Sequence, residues 1–393
     1  MLLSSYAAEL KQKAQQGQLR RCKTVETIPI DVGGPQVRVD GRLAVNFSSN
    51  DYLGLSHHPR LQAAAIAAVQ QYGTGSAASR LICGTNPLVV ELETELARFK
   101  KAEAALVFNS GYQANVAILQ AILGPQDWVF CDRLNHASLM DGCLLSKARW
   151  SRYRHLDLGH LEEKLAKAPP QARKWIVTDS VFSMDGDFPD LKGLVALAER
   201  YQALVMVDEA HATGLYGATG SGLCQQFGVS ERVALQMGTF SKALGGSGAY
   251  VAGSRVLIDW LINHARGFIY STAQSPPVIG AALAAVKLVQ SDFTQRERLW
   301  QNMATLQRAV VAAGLTHRIS VPLQSPIVPV LIGESVDTLR VSDALLAAGY
   351  FVQAIRPPTV PPKTGRLRIA LSASHTEAQI LGLVKALAPL LVG

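Results

Sequence analysis

An aspartate and a histidine follow an apolar run in the segment ALVMVDEAHATG. The run at residues 203–207 has the composition of a buried strand, Asp208 stands at its carboxyl end, and His211 lies three residues on. Ligands of open α/β sheets bind beyond the carboxyl ends of the strands, so we expect Asp208 to point into a site. Asp-Glu-Ala-His also occurs in helicases, but nucleotide hydrolysis needs a GxxxxGKS or GxxxxGKT loop, and the chain contains neither.

A lysine in a loop of small residues is the second candidate. In GTFSKALGGSGAYVAG, Lys242 follows Thr239 and Ser241 and precedes several glycines, which allow a bulky planar group to approach the backbone. A lysine in such a loop is, taken alone, usually a solvated surface residue. A buried strand that ends in Asp-x-x-His, followed later by Ser-Lys among small residues, instead resembles the pattern of fold-type I pyridoxal-phosphate enzymes.

Pyridoxal phosphate explains why these residue types occur together. Its aldehyde needs a lysine amine, and its pyridine nitrogen needs an anion to stay protonated, which suits Lys242 and Asp208. Its phosphate favours the backbone N–H groups at a helix start. NSGYQAN at residues 109–115 follows the apolar run AALVF and opens a helical pattern, although alone it would equally be an ordinary turn. CDRLNHAS at 131–138 follows WVF and puts His136 where an imidazole can stack on the ring, a prediction that depends on the other motifs.

The elements around these motifs predict an α/β fold of the fold-type I transferase kind, with a mostly parallel sheet and helices on both faces. Apolar runs alternate with helical patterns, namely AALVF, WVFCD, WIVTD, ALVMVDEA and GAYVAG. We expect an arm at residues 1–55, with a turn at Gly33-Gly34-Pro35 and a hairpin around Asp40-Gly41. A large cofactor-binding domain at 56–285 follows. A smaller α/β domain at 286–393 follows that, with a long helix over 281–313 and antiparallel strands in IVPVLIG, YFVQAI and RLRIALS.

Composition excludes several classes of protein. The net charge of +8 suits either nucleic acid or a small polyanionic substrate, but the basic residues are spread out and no nucleic-acid-binding signature occurs. No apolar stretch of about 18 residues predicts a membrane span and no signal-peptide core occurs, so the cytoplasm is the expected location. The five cysteines are scattered without a CxxC pair, so we expect buried free thiols and no metal site.

Together these motifs resemble the α-oxoamine synthase family over almost the whole chain. NFSSNDYLGLSHHP at 46–59 is similar to the family's opening segment, and TDSVFSMDGDFPDL at 178–191 is shared widely within the family. The run RPPTVP at 356–361 resembles the member of biotin synthesis, since other members usually have a tyrosine and fewer prolines there. Two segments depart from that member: RLICGT at 80–85 is closer to a glycine-using relative, and Asp179 stands where several members carry glutamate.

The resemblance implies a role for each candidate residue. Lys242 forms a Schiff base with the cofactor and moves protons at the substrate Cα, Asp208 pairs with the pyridine nitrogen, and His136 stacks on the ring. The other cofactor contacts are His211 and Ser183 at the ring oxygen, Gly111, Tyr112 and Thr239 at the phosphate, and Thr272 from the second subunit of a homodimer. Substrate contacts are Arg20, Asn50 and Arg368 for carboxylates, Thr359 in the acyl site, and His136 near the thioester oxygen. Arg21 is an alternative to Arg20, because the spacing near the N-terminus is loose.

The resemblance also implies a reaction, in which L-alanine condenses with a pimeloyl thioester of coenzyme A or acyl carrier protein and carbon dioxide is lost. One alternative is the related condensation of glycine with an acetyl thioester. A distant alternative is a non-catalytic regulator that keeps the fold as a sensor. Such a regulator would need an added DNA-binding domain, for which we expect no room outside the catalytic fold.

Overall fold

A computed structural model describes residues 2–28 and 35–391 of the chain. The predicted turn at Gly33-Gly34-Pro35 lies outside the described residues, apart from Pro35. The helices are α1 (Leu2–Gln15), α2 (Pro59–Tyr72), α3 (Pro87–Lys100), α4 (Gly111–Ile122), α5 (Ala137–Leu145), α6 (Leu158–Leu165), α7 (Leu191–Arg200), α8 (Leu223–Gln226), α9 (Arg255–His264), α10 (Arg266–Ile269), α11 (Pro276–Ser291), α12 (Thr294–Ala312), α13 (Ser335–Ala347) and α14 (Glu377–Leu391). The strands are β1 (Val25–Thr27), β2 (Gln36–Val39), β3 (Arg42–Asn46), β4 (Ala104–Phe108), β5 (Trp128–Asp132), β6 (Arg149–Tyr153), β7 (Lys174–Asp179), β8 (Ala203–Asp208), β9 (Leu235–Thr239), β10 (Ala249–Gly253), β11 (Ile327–Gly333), β12 (Tyr350–Phe351), β13 (Ala354–Ile355) and β14 (Gly365–Ala370).

The chain forms two compact units. The smaller comprises the described residues of 1–54, 184–186 and 294–393, and the larger comprises residues 55–183 and 187–293. The division into an arm, a large domain and a small domain stays a prediction. No helix in the described ranges combines the length and the apolar character that crossing a membrane requires.

The larger unit is built on a seven-stranded sheet in the order β4-β10-β9-β8-β7-β5-β6. Strands β6, β5, β7, β8 and β9 run parallel, and β10 runs antiparallel to both of its neighbours, which confirms the predicted mainly parallel sheet. Every residue of β4, β7, β9 and β10 is buried, as expected for strands covered on both faces. Strands β6 and β9 were not among the predicted runs, because RWSRY and LQMGT mix polar residues into short strands.

Three neighbouring parallel strands of this sheet end in an aspartate. These residues are Asp132 on β5, Asp179 on β7 and Asp208 on β8, and Asp179 pairs in register with Asp208. Carboxyl ends of parallel strands meet at one edge of a sheet. The fold therefore concentrates acidic side chains where the sequence predicts a binding site.

The smaller unit contains two sheets, β1-β2-β3-β12 and β11-β14-β13. The predicted hairpin is confirmed: β2 and β3 join at Asp40 and Gly41, whose φ angles of 48° and 84° suit a tight two-residue turn. The predicted antiparallel strands are confirmed in β11, β13 and β14. The segment YFVQAI forms two short strands instead of one, because β12 pairs parallel with β3 while β13 pairs with β14.

Two further expectations were wrong. The long helix predicted over 281–313 is two helices, α11 and α12, because Asp292 is extended (φ −127°, ψ 112°) and closes α11 with its N–H bonded to the Leu288 carbonyl. Helical spacing continues on both sides of this break, which hides it in the sequence. The cysteines are all free, but Cys22 and Cys83 are exposed where buried thiols were expected. Cys22 lies in the irregular segment before β1, and Cys83 lies in a π-helical turn at Arg80–Gly84.

Candidate active site

Asp208 is a buried carboxylate fixed by two hydrogen bonds. Its side chain is 4% exposed at the end of β8. The backbone N–H of Ala210 donates to Oδ1 at 2.9 Å, and Asn115 Nδ2 on α4 donates to Oδ2 at 2.8 Å. An acid that is held in this way keeps one orientation, which suits an anion that must face a ring nitrogen.

The turn after β8 carries His211, and Glu209 in the same turn belongs to a buried ion pair. The carbonyl of Glu209 accepts hydrogen bonds from the N–H groups of Ala212 and Thr213, and His211 is 6% exposed. The Glu209 carboxylate pairs with Lys100 Nζ, and both side chains are fully buried. Burial lowers the pKa of Lys100, but the attraction and hydrogen bond of Glu209, together with Tyr250 and Cys224, raise it overall. The pair fixes the backbone between Asp208 and His211.

Lys242 lies in a tight turn that follows β9. The N–H of Gly245 donates to the Lys242 carbonyl at 2.9 Å, and Gly245 has a φ angle of 62°. Asp208 pairs in register with Met237 on β9, so the lysine turn begins beside the strand that carries the acid. Ser183 belongs to the same unit and is partly buried after β7.

The start of α4 provides a place for a phosphate. Ser110 caps the helix by accepting from the Gln113 N–H at 3.2 Å, and Gly111 is the first helical residue. A Cβ on Gly111 would lie 2.8 Å from Thr239 Cγ2, so the two segments approach this closely only with glycine. Thr239 is 5% exposed, and its Oγ1 has no hydrogen-bond partner among the described residues. A buried hydroxyl and unbonded N–H groups at a helix start fit the phosphate of pyridoxal phosphate.

Two other residues that were predicted to contact the cofactor, Tyr112 and Thr272, lie near the start of α4. Tyr112 is 52% exposed, and its hydroxyl bonds the Asp141 carboxylate, which raises the pKa of the phenol. The carbonyl of Thr272 accepts from Asn109 Nδ2 of the same chain at 2.8 Å. Thr272 therefore lies beside the α4 start of its own chain, and its expected role in a second subunit stays a prediction.

His136 caps the start of α5 and is held at its Nδ1 edge. Ser138 Oγ lies 2.7 Å from Nδ1, and the Ser138 N–H donates to the same nitrogen at 3.3 Å. The backbone N–H of His136 donates to Asp179 Oδ2 at 2.9 Å. The residue as a whole is exposed, as stacking on a bound ring requires. Partial burial lowers the pKa of the ring and Lys242 acts in the same direction, while Asp208 and Asp141 oppose them.

Asp179 is the acid at which the sequence is expected to depart from several members of the family that it resembles. Its side chain is 5% exposed. Burial and the neighbouring Asp208 raise its pKa well above the ordinary value, while the His136 N–H and Lys242 act against the rise. The structure therefore brings Lys242, Asp208, His136 and Asp179 into mutual electrostatic influence within the larger unit.

The predicted substrate residues lie in the smaller unit, where they form two pairs. A guanidinium nitrogen of Arg20 donates to Thr359 Oγ1 at 2.8 Å. Arg368 is 6% exposed and donates to Asn50 Oδ1 at 3.0 Å and to the Tyr52 hydroxyl at 3.2 Å. Both pairs join residues more than 300 positions apart in the chain, so the fold of the smaller unit brings them together.

Sequence reasoning did not assign a role to several residues that contact the site. Asn115 and Ser138 close the two motifs that contain Gly111 and His136, and their position at the motif ends is the signal that was available. Tyr52 had no such signal beyond its place in the family-like opening segment. Arg356, in the RPPTVP run, lies near Arg20, since burial and the charge of Arg20 lower its pKa.

Comparison with known proteins identifies the family. A sequence model described as "Aminotransferase class I and II" matches residues 43–387. The chain is 50% identical over 386 residues to the 8-amino-7-oxononanoate synthase of Geobacter sulfurreducens, which is 98% of this chain and 97% of that protein. It is 49% identical over 359 residues to the enzyme of the same name from Anaeromyxobacter sp. strain K, covering 91% and 89% of the two chains. This chain belongs to the 8-amino-7-oxononanoate synthase family, within the class I and II aminotransferases.

Solved structures agree with this family assignment. A serine palmitoyltransferase from S. paucimobilis, solved with PLP and myriocin bound, matches with a TM-score of 0.93 at 29% identity, over 99% of this chain and 98% of that one. The 8-amino-7-oxononanoate synthase of Francisella tularensis matches with a TM-score of 0.76 at 29% identity, over 88% and 97%. The protein is a pyridoxal-phosphate enzyme of the α-oxoamine synthase type, which uses an amino acid and an acyl thioester. The predicted family, fold class, enzyme class and cofactor are confirmed.

Proposed function

We propose that this protein condenses L-alanine with a pimeloyl thioester to give 8-amino-7-oxononanoate, carbon dioxide and a free thiol, in biotin biosynthesis. The observation that carries the proposal is the pairing of Arg20 with Thr359, because Thr359 belongs to the RPPTVP run that distinguishes the biotin member. The identity of about half the chain to synthases of that name supports the same reaction.

The larger unit supplies the residues that would hold the cofactor. Lys242 would bind its aldehyde, Asp208 its pyridine nitrogen, and His136 would stack on its ring. The remaining contacts would come from His211, Ser183, Gly111, Tyr112, Thr239 and Thr272. When bound, pyridoxal phosphate supplies an electron sink for a carbanion at the amino-acid Cα.

Residues of this chain would then carry out binding and proton transfer. The Lys242 amine removes the Cα proton of alanine and later returns one, which is general base and acid catalysis. Arg368, oriented by Asn50 and Tyr52, binds one substrate carboxylate through charge-assisted hydrogen bonds. Arg20 and Thr359 bind the acyl substrate, whose far end is also a carboxylate. His136 donates to the thioester oxygen as negative charge develops there.

The protein's partners follow from the same proposal. Thr272 would complete the cofactor site of a second copy, which implies a homodimer. The net charge of +8 suits either the phosphates of coenzyme A or an acidic acyl carrier protein. Cytoplasmic location is part of the proposal.

Thiol release tests the proposed reaction. The loaded protein is given L-alanine or glycine with pimeloyl- or acetyl-coenzyme A, and pimeloyl-acyl carrier protein is added in a further arm. Lys242→Ala should abolish release, while Lys192→Ala, an exposed lysine on α7, should leave the rate unchanged. Release with alanine and the pimeloyl thioester supports the proposal. Preference for glycine and acetyl-coenzyme A would support the proposed role of Lys242 but would show that the substrates are those of the alternative reaction. Cofactor binding without release from any pair would favour the sensor alternative.

A further inference from the structure

Four side chains of the larger unit form a continuous chain of hydrogen bonds. Asn115 Nδ2 on α4 donates to Asp208 Oδ2 at 2.8 Å and to Ser138 Oγ on α5 at 2.9 Å. Ser138 Oγ lies 2.7 Å from His136 Nδ1. Asn115 and Ser138 are 1% and 0% exposed. The chain, here called the Asn115–Ser138 relay, links the acid expected at the pyridine nitrogen to the histidine expected on the ring face.

The chemistry of the groups fixes the direction of every bond in the relay. Only the NH₂ group of Asn115 can face the Asp208 carboxylate, because its carbonyl oxygen would meet another acceptor. The same NH₂ group donates to one lone pair of Ser138 Oγ, which leaves the hydroxyl proton free to point at His136 Nδ1. The Ser138 N–H also points at Nδ1 and can only donate. Nδ1 therefore accepts two hydrogen bonds and carries no proton.

A neutral imidazole with an unprotonated Nδ1 has its proton on Nε2. Protonation of Nδ1 would place an N–H against the Ser138 N–H, and would leave the Ser138 hydroxyl proton without its acceptor. The relay thus opposes both the other tautomer and the imidazolium. Burial and Lys242 lower the pKa of His136, which favours the same neutral form, although Asp208 and Asp141 act against it.

The relay is maintained at a cost to stability. Asn115 Oδ1 is buried and has no hydrogen-bond partner among the residues that the structure describes. A buried acceptor without a partner destabilises the folded state, because it has lost its hydrogen bonds to water. The amide keeps this orientation because turning its oxygen toward the Asp208 carboxylate would place two acceptors together.

We propose that Asn115 and Ser138 are positioning residues that lock His136 as a neutral imidazole with its proton on Nε2. The inference rests on the proposed function, in which negative charge develops on the thioester carbonyl oxygen. A neutral Nε2–H stabilises that oxygen by hydrogen bonding without transferring its proton. Because one amide group holds both the Asp208 carboxylate and the Ser138 hydroxyl, Asn115 also orients the acid that faces the cofactor.

The two positions should respond differently to substitution. Ser138→Ala removes the hydroxyl from Nδ1 and leaves the bond from Asn115 to Asp208 intact. We expect a mixture of His136 tautomers, a kcat reduced roughly 10- to 100-fold, and pyridoxal-phosphate affinity within about twofold of the parent. Asn115→Ala should change the tautomer and also weaken pyridoxal-phosphate binding about tenfold, since Asp208 loses a donor.

The deciding measurement is the ¹⁵N NMR spectrum of histidine-labelled full-length protein, with and without pyridoxal phosphate. The His136 signals are assigned by their loss in His136→Gln, and cofactor affinity is measured by titration of the stripped protein. Ser230→Ala is the matched control, because Ser230 is buried and its hydroxyl has no partner in the described ranges. Its tautomer signals, affinity and kcat should equal those of the parent. If Ser138→Ala does not fold, Ser138→Thr, which keeps a hydroxyl, should preserve the parent tautomer and Asn115→Ala should lose it.

A protonated Nδ1 in the parent protein overturns the proposal, as does an unchanged His136 spectrum in both Ser138→Ala and Asn115→Ala. The spectra need no acyl substrate, so they separate this inference from the proposed function. A locked Nε2–H tautomer in a protein that releases no thiol would leave the relay standing and remove the reaction. Thiol release from alanine and pimeloyl-coenzyme A by a protein whose His136 carries its proton on Nδ1 would support the proposed reaction and overturn the relay.

Discussion

At the residue scale, two adjacent arginines differ in what their side chains contact. Arg20 donates to Thr359, whereas Arg21 is exposed and makes no hydrogen bond within the described part of the chain. The proposed function uses Arg20 for this reason, and the choice between the two arginines stays a prediction.

We expect Arg20→Ala to raise the KM for the pimeloyl thioester roughly 10- to 100-fold, because a charged hydrogen bond to a carboxylate contributes about 1.5–3 kcal/mol. The KM for alanine should change little. Arg21→Ala is the matched control and should leave both values within about twofold. Steady-state kinetics with each substrate varied in turn measure the effect. The assignment would be contradicted if both variants raised the KM for the pimeloyl thioester equally, or if Arg20→Ala raised only the KM for alanine.

At the element scale, the packing of α5 on α4 depends on Gly142. A Cβ at this position would lie 2.8 Å from Leu119 Cδ1, 2.9 Å from Leu119 Cβ and 3.1 Å from the Asn115 carbonyl oxygen. The glycine therefore lets the two helices approach closely enough for Ser138 to reach Asn115.

We expect Gly142→Ala to destabilise the protein by about 1–3 kcal/mol, since the added methyl group forces α5 away from α4. Gly159→Ala is the control: Gly159 is exposed on α6, where a Cβ has only Asp157 Oδ1 at 3.4 Å, and alanine should be neutral or stabilise by about 0.5–1 kcal/mol. Chemical denaturation of both variants measures the difference. If Gly142→Ala is as stable as the parent protein, the packing of α5 on α4 does not depend on a glycine at this position.

At the scale of the whole molecule, two histidines with opposite pKa shifts contribute to the pH dependence of stability. His155 is 14% exposed and bridges Asp132 at 2.9 Å and Asp187 at 3.0 Å. Burial lowers its pKa, but the two aspartates outweigh burial and raise it to about 9. His375 is 1% exposed and stacks on Phe47. Burial lowers the pKa of His375 to about 4, although its hydrogen bonds to backbone groups of Asn46 and Ser372 act against the shift.

The signs of these two shifts place the maximum of their combined contribution to stability near pH 6.5, the ordinary pKa of histidine. The His155 contribution is complete below pH 6.5 and is lost as the pH rises through about 9. The His375 contribution is complete above pH 6.5 and is lost as the pH falls toward about 4. Unfolding midpoints measured from pH 4 to 10 should fall on both sides.

His155→Gln should lower stability at pH 6.5 by on the order of 3 kcal/mol and flatten the alkaline side. His317→Gln, at an exposed site, should follow the parent curve at every pH. An alkaline limb that is unchanged in His155→Gln would show that another group titrates there.

The sequence by itself determined the features that depend on local pattern. Alternating apolar runs and helical spacing predicted the mainly parallel sheet, because burial imposes those periods along the chain. The Asp40-Gly41 dipeptide predicted its hairpin, since both residues adopt positive φ angles. The apolar run before Asp208 and the small residues around Lys242 indicated that these two residues belong to a site. The resemblance of the motifs to a known family added the other candidate residues. The roles of those site residues stay predictions.

Only the tertiary structure decided which side chains meet. Asn115 lies 23 positions from Ser138 and 93 from Asp208, and Arg368 lies 318 from Asn50. The break between α11 and α12 and the division of YFVQAI between two sheets also needed the folded chain. Local pattern fixes the period and the backbone conformation of a segment. The partner of a side chain depends on how distant segments pack, and that packing sets both the bond directions and the pKa shifts.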